Sequence, residues 1–145
     1  MNFNELKKMI EIDLQFKEDQ LDTESLKIPQ IHSKYLNFLT DEKLKLQTFQ
    51  FQHDTLYRLK WEYYNGKISA EELEKQGWEQ FDLKLLKQDI PIYLNSDEDL
   101  KSLNEKIFFQ KEKIAYLDSI IKMIMNRQFH IRDAIAWRKF INGVI

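Results

Sequence analysis

Between positions 100 and 124 the chain places Leu100, Leu103, Ile107, Gln110, Ile114, Leu117, Ile121 and Ile124 at intervals of 3, 4, 3, 4, 3, 4 and 3. That spacing puts every member on one stripe of an α-helix, whereas a strand would scatter them over both faces. Sustained over more than three heptads, it is a seam against another helix, with Gln110 as its polar member. Phe108 and Ile120 widen the stripe, so this helix, about 97–126, has more than one apolar neighbour and belongs in a bundle. Composition agrees: the 145 residues include only three Gly and two Pro, so few positions break a helix. Such a length makes one domain with a real core. The fold class read from this is all-α, a helical bundle with long helices about 41–65 and 97–126 and a C-terminal helix about 129–142. At most, short extended pieces interrupt it near 10–16 and 90–94.

Towards the N-terminus, Asn4 can cap a short helix through Glu5 and Ile10. From Ile10 to Phe16 apolar and polar residues alternate, which suits a strand as well as a helix. Residues 1–26 carry three Lys against seven acids and read as a short helix plus an acidic arm, ahead of a helical body at 27–145. Pro29 fits the first turn of a second helix, striped by Ile31, Tyr35, Leu36 and Leu39. Thr40-Asp41-Glu42-Lys43 then has the signature of a new helix start, which predicts a break at that point. Leu46, Phe49, His53, Leu56, Leu59 and Tyr63 share a face of the helix that follows, and Asn65-Gly66 closes it with a left-handed cap. Ser69 starts a short helix to about Gln76, residues 78–88 are weakly helical, and Pro91 biases Ile90 towards extended backbone. Ser96 or Asp97 caps the seam helix.

Several chemistries find no residues to carry them. The chain has no cysteine, so disulfides and thiolate metal sites are excluded. There is no signal-peptide core and no run of about 18 apolar residues, which gives the expectation of a soluble cytoplasmic protein. No phosphate-binding glycine loop, nucleophile elbow or zinc ligand set appears. His32, His53 and His130 lack partners at ligand spacing, and His53, on an apolar face, reads as a core or interface residue. The acids between Asn95 and Asp99 lack the alternation and glycine of a calcium loop, so they read as a helix cap. The expectation is a binding or assembly protein, not an enzyme, with no metal and no cofactor.

Binding chemistry concentrates in Leu56–Lys67. These twelve residues hold three of the six tyrosines, Trp61, and the cations Arg58, Lys60 and Lys67. Aromatic faces stack on bases and cations pair with phosphates, the two needs of a single-strand surface. The same letters also suit the end of an amphipathic core helix, and composition alone leaves both readings open. At 100° per residue, Arg58 and Lys60 point about 160° apart. Arg58 lies within a helical turn of Asp54 and Glu62, an ion-pair ladder, while Lys60 flanks Tyr57, Trp61 and Tyr64 and is the better phosphate candidate. Net charge is −2, yet residues 101–145 hold nine cations against four acids. A modest basic patch gains strength when repeated in an oligomer. In the last helix, Ile131, Ala134, Ile135, Trp137, Phe140 and Ile141 make two faces apolar, which favours self-association.

Four pieces in order resemble the UvsY recombination mediator family of T-even-like phages. They are Ser33-Lys34-Tyr35-Leu36, Arg58 through Lys67, Ser96-Asp97-Glu98-Asp99-Leu100, and Ile124 to Phe140 with Phe129-His130-Ile131 and Arg138-Lys139-Phe140. The resemblance runs from about Ser33 to the C-terminus. It implies single-stranded DNA binding through Arg58, Lys60, Trp61, Tyr64 and Lys67, with Arg58 and Lys60 standing at the family's Lys-x-Arg pair in swapped order. Upstream, Gln52-His53-Asp54 replaces expected lysines and lowers the local positive potential. The family further implies a ring-like homo-oligomer of hexamer or heptamer type held by the C-terminal helix. Its expected partners are single-stranded DNA, a RecA-like recombinase and a single-strand-binding protein, in the host cell cytoplasm and away from membranes. The function implied is non-enzymatic: loosening the single-strand-binding protein and promoting recombinase loading. The alternative is a helical scaffold without nucleic-acid binding, its aromatics simply core.

Overall fold

The seam lies on a helix longer than its hydrophobic pattern announces. The structure, a computed structural model, describes residues 1–143. In it α1 spans Phe3–Asp13, α2 Leu21–Tyr64, α3 Ala70–Gln76, α4 Ile90–Ser96 and α5 Glu98–Ile141, with a short 3₁₀ turn at Lys87–Asp89 leading into α4. No strand occurs among the described residues. Of the extended pieces considered at 10–16 and 90–94, residues 10–13 and 90–94 are helical instead, and 14–16 form the turn after α1. Pro91 falls in the first turn of α4, where its missing N–H removes no intrahelical bond. Ile12, which strand alternation would bury, faces solvent at the end of α1. The cap of α1 is Asn2, not Asn4: its side chain accepts the Glu5 N–H at 2.8 Å, and Glu5 returns the bond to the Asn2 N–H.

Two expected breaks are absent. α2 runs 44 residues without interruption, with Pro29 inside it. Thr40 does not cap; its hydroxyl donates to the Leu36 carbonyl one turn back at 2.9 Å. Continuity follows from which residues are covered. Leu21, Glu24, Ile28, Ile31, Tyr35, Phe38 and Glu42 recur at 3 and 4 and are all buried or half-buried. Two of them are carboxylates, so the stripe reads as broken when only apolar residues are counted. Leu36, placed on that stripe from sequence, is exposed. Likewise α5 carries the seam straight into the segment expected to be a separate helix at 129–142.

The chain divides into two compact units, Met1–Lys43 with the residues from Glu112 onward, and Leu44–Lys111. In the first, Leu6 and Ile10 of α1 pack with Tyr35 and Leu39 of α2 and Leu117, Ile121 and Ile124 of α5. Each such aliphatic side chain contributes about 1.5–3 kcal/mol on burial. The short N-terminal helix expected within 1–26 is thus part of a core. Polar groups inside this unit are paired. Lys113 reaches Glu42 at 3.0 Å and the Met1 carbonyl at 3.0 Å. Asp13 accepts from the Tyr35 hydroxyl and from Lys34, each at 2.6 Å. Burial pushes the Asp13 carboxyl up, but these two donors outweigh it and hold it below the usual value. The second unit contains α3, α4 and the chemistry-bearing end of α2.

Candidate nucleic-acid interface

In the second unit, Ile90 and Leu94 of α4 pack on Leu100 of α5, with Leu56, Tyr64 and Leu85 around them. Beside this core, rings gather edge to face: Tyr63 lies 5.3 Å from Trp78 and Tyr64 lies 5.1 Å from Phe81, centroid to centroid. The ends of α2 and α5 are joined by a charged network. Lys60 Nζ sits 2.8 Å from Asp99 and 3.1 Å from Asp97, and 4.0 Å over the ring of Trp78. Asp97 also accepts the Tyr64 hydroxyl at 2.6 Å and, as the cap of α5, the Leu100 N–H at 2.9 Å. Burial alone raises the Asp97 carboxyl, but its donors, Tyr64 first and then Leu100 and Lys60, bring it below the usual range. Its own burial, and then its bond to the Asp97 carboxylate, push the Tyr64 hydroxyl well above an ordinary phenol.

This geometry changes the ranking of the cations. Lys60 is only 5% exposed and is spent on two carboxylates, so it does not present its charge outward. Tyr64 is half-buried: Tyr63, Phe81 and Tyr93 lie against its ring and Asp97 holds its hydroxyl. The acids at the start of α5 have a cation after all, but it is this lysine. Among the described residues no cluster of three or more His, Asp or Glu is arranged to hold a metal ion.

Outward-facing chemistry lies one step round the helix. Trp61 is 40% exposed and Tyr57 is exposed beside it. Lys67, just past the left-handed Gly66, rests 5.1 Å over the Trp61 ring. These residues line a groove of about 320 Å³ whose far wall is Lys87, Ile90, Pro91 and Leu94. Arg58 projects into solvent while touching Glu62 at 2.9 Å, the ladder partner expected from sequence. Of the five candidates, then, Arg58, Trp61 and Lys67 are accessible, and Lys60 and Tyr64 support them from behind. Lys87 and Pro91 were invisible to sequence reasoning. They stand 20 or more residues beyond the aromatic stretch, in a segment without periodicity, and only the packing of α4 brings them across.

The C-terminal part of α5 also divides. Ile131 is buried and Ala134 half-buried, whereas Ile135, Trp137, Phe140 and Ile141 are exposed. The rings of Trp137 and Phe140 stack at 5.7 Å, and Arg138 donates to the Glu18 carbonyl.

Residues 5–144 match the family described as "Recombination, repair and ssDNA binding protein UvsY". The chain belongs to the UvsY family. Its fold is that of crystal structures of the bacteriophage T4 recombination mediator protein UvsY. One, in lattice type II, agrees with a TM-score of 0.85 at 18% identity, covering 99% of this chain and 99% of that one. Another, in lattice type IV, gives 0.84 at 17% identity, covering 97% and 99%. A third, in lattice type I, gives 0.78 at 17% identity, covering 94% and 98%. No curated protein sequence matches the chain. No helix among the described residues is long and apolar enough to cross a membrane.

Proposed function

We propose that this UvsY-family protein is a recombination mediator: it binds single-stranded DNA as a homo-oligomer, loosens single-strand-binding protein from the strand, and so lets a RecA-like recombinase nucleate there. The family match over nearly the whole chain carries the reading. The accessible trio of Arg58, Trp61 and Lys67 supports it with the right chemistry, an aromatic face beside cations. Multiplication supplies what a single site lacks. The exposed apolar residues Ile135, Trp137, Phe140 and Ile141 favour self-association, and copies of a weak site around one assembly hold a strand far better than one copy does. The mediator makes and breaks no bond; it shifts populations by binding one arrangement of the strand better than another.

The test is titration of the protein with oligo-dT at several salt concentrations, with assembly mass measured alongside. Affinity should fall steeply with salt, since every neutralised phosphate releases counterions. Trp61→Ala should lose about 1–3 kcal/mol per stacked base without loss of fold. A protein that stays a single protomer and ignores oligo-dT at low salt would be the scaffold of the alternative reading.

A further inference from the structure

Resting on the single-strand reading above, we propose that the groove between Trp61 and α4 is a slot for one nucleotide: a single unstacked base lies on Trp61, and Lys67 and Lys87 take the adjoining phosphates.

Size favours one base. At about 320 Å³ the groove is at the small end of ligand clefts, which run from about 300 Å³ upward. A planar heterocycle with part of its sugar fits such a space, while a stack of several does not. Chemistry selects a nucleotide. One wall is the indole of Trp61, 40% exposed with Lys67 over its face, and the floor is the apolar surface of Ile90, Pro91 and Leu94. Two lysines line the groove and no carboxylate does. Two other hollows lack this combination: the one around Thr48 and Phe51 has no cation, and the one around Lys101 and Phe108 carries Glu105.

The slot is also pre-shaped. Ile90 and Leu94 are each 4% exposed and anchored on Leu100, so the floor is part of the core and costs little to order on binding. Lys60 is a positioning residue here. By gripping Asp97 and Asp99 it ties the start of α5 to α2, and Leu100, on the first turn of α5, holds α4 at the groove wall. Lys67 occupies the indole face when the slot is empty. An arriving base takes that face and releases the ammonium to its own phosphate, so one charge serves both states.

The experiment compares oligo-dT with an abasic strand of equal length, which has the same phosphates and no bases. Binding is followed by the anisotropy of an end-labelled strand, at low salt for the affinities and over a series of salt concentrations for the slopes, for wild type, Trp61→Phe, Trp61→Ala, Lys87→Ala and Lys87→Arg. Wild type should bind oligo-dT at least about fivefold more tightly than the abasic strand, the low end of base–aromatic stacking. Trp61→Phe should keep that preference and Trp61→Ala lose it. Lys87→Ala should flatten the salt slope by about 0.7, the loss of one phosphate contact on a single strand, and Lys87→Arg should restore it. Equal affinity of wild type for both strands, or a preference retained by Trp61→Ala, overturns the slot while leaving single-strand binding intact. An unchanged slope in Lys87→Ala removes Lys87 from it. Failure of both strands to bind overturns the underlying reading together with the slot.

Discussion

Replacing Lys60 with methionine separates two roles that sequence alone confuses. If Lys60 held phosphate, the variant would fold normally and bind DNA poorly. The structure assigns it to the fold. Asp97, its side chain 4% exposed, would lose an ammonium 3.1 Å away and remain charged in a closed site. Breaking a buried ion pair from one side costs about 3–5 kcal/mol. Asp97 keeps two donors, Tyr64 and the Leu100 N–H, and the contact to Asp99 is worth little because Asp99 is 59% exposed. The expected loss is therefore below that range, about 2–3 kcal/mol. Urea unfolding followed by far-ultraviolet circular dichroism measures it. The double variant Lys60→Met with Asp97→Asn should recover most of the loss, because the neutral amide keeps its oxygen on the Leu100 N–H and can donate its NH2 to the Tyr64 hydroxyl oxygen, leaving no buried charge. In conditions where both proteins are folded, the salt slope of oligo-dT binding should match wild type. A Lys60→Met protein as stable as wild type but with a shallower slope would refute the assignment and return Lys60 to the DNA surface.

Pro29→Ala should stabilise the protein by about 1–2 kcal/mol in the same unfolding assay: a proline inside a helix costs about 3 kcal/mol, and the looser unfolded chain takes back part of the gain. Acid should unfold the protein through its paired carboxylates. Asp13 and Asp97 both sit below their ordinary 3.8, so their stabilisation is complete above that pH and is lost as pH falls through their lowered values. Tyr35→Phe and Tyr64→Phe each remove a donor and should move the acid transition, followed by circular dichroism, to higher pH. Changing Trp137 and Phe140 together to serine should leave helicity intact, since both are exposed, while sedimentation velocity reports smaller species; an unchanged mass would move the self-association surface elsewhere.

Apolar spacing made the all-α class and the seam from Leu100 to Ile124 legible, because nearly every member of that seam is aliphatic. The same method failed on α2 for a physical reason. Glu24, Glu42 and Lys60 are buried there, and a pattern that treats charge as exposed sees gaps where the helix is covered. Those gaps, with Pro29 and a cap-like Thr40, made one helix look like two. At the candidate site, Trp61 and Lys67 were legible because exposed aromatic and cationic residues sit close together in sequence. Lys60 read as outward-facing because its partners, Asp97 and Asp99, are 37 and 39 positions away, a distance that local spacing cannot bridge. The nearness of Lys87 to Trp61 was hidden for the same reason, 26 positions separating them.

A repeat of seven carries an ambiguity: slide one helix by a single repeat and most aliphatic neighbours find equivalents. The Lys113–Glu42 pair lifts that degeneracy within its unit. A slip in either direction would strand two charges away from water, at a cost comparable to much of a domain's net stability. One lysine and one glutamate thus act as a locating pin, and the greasy residues around them are free to vary in kind without letting the helices lose their place.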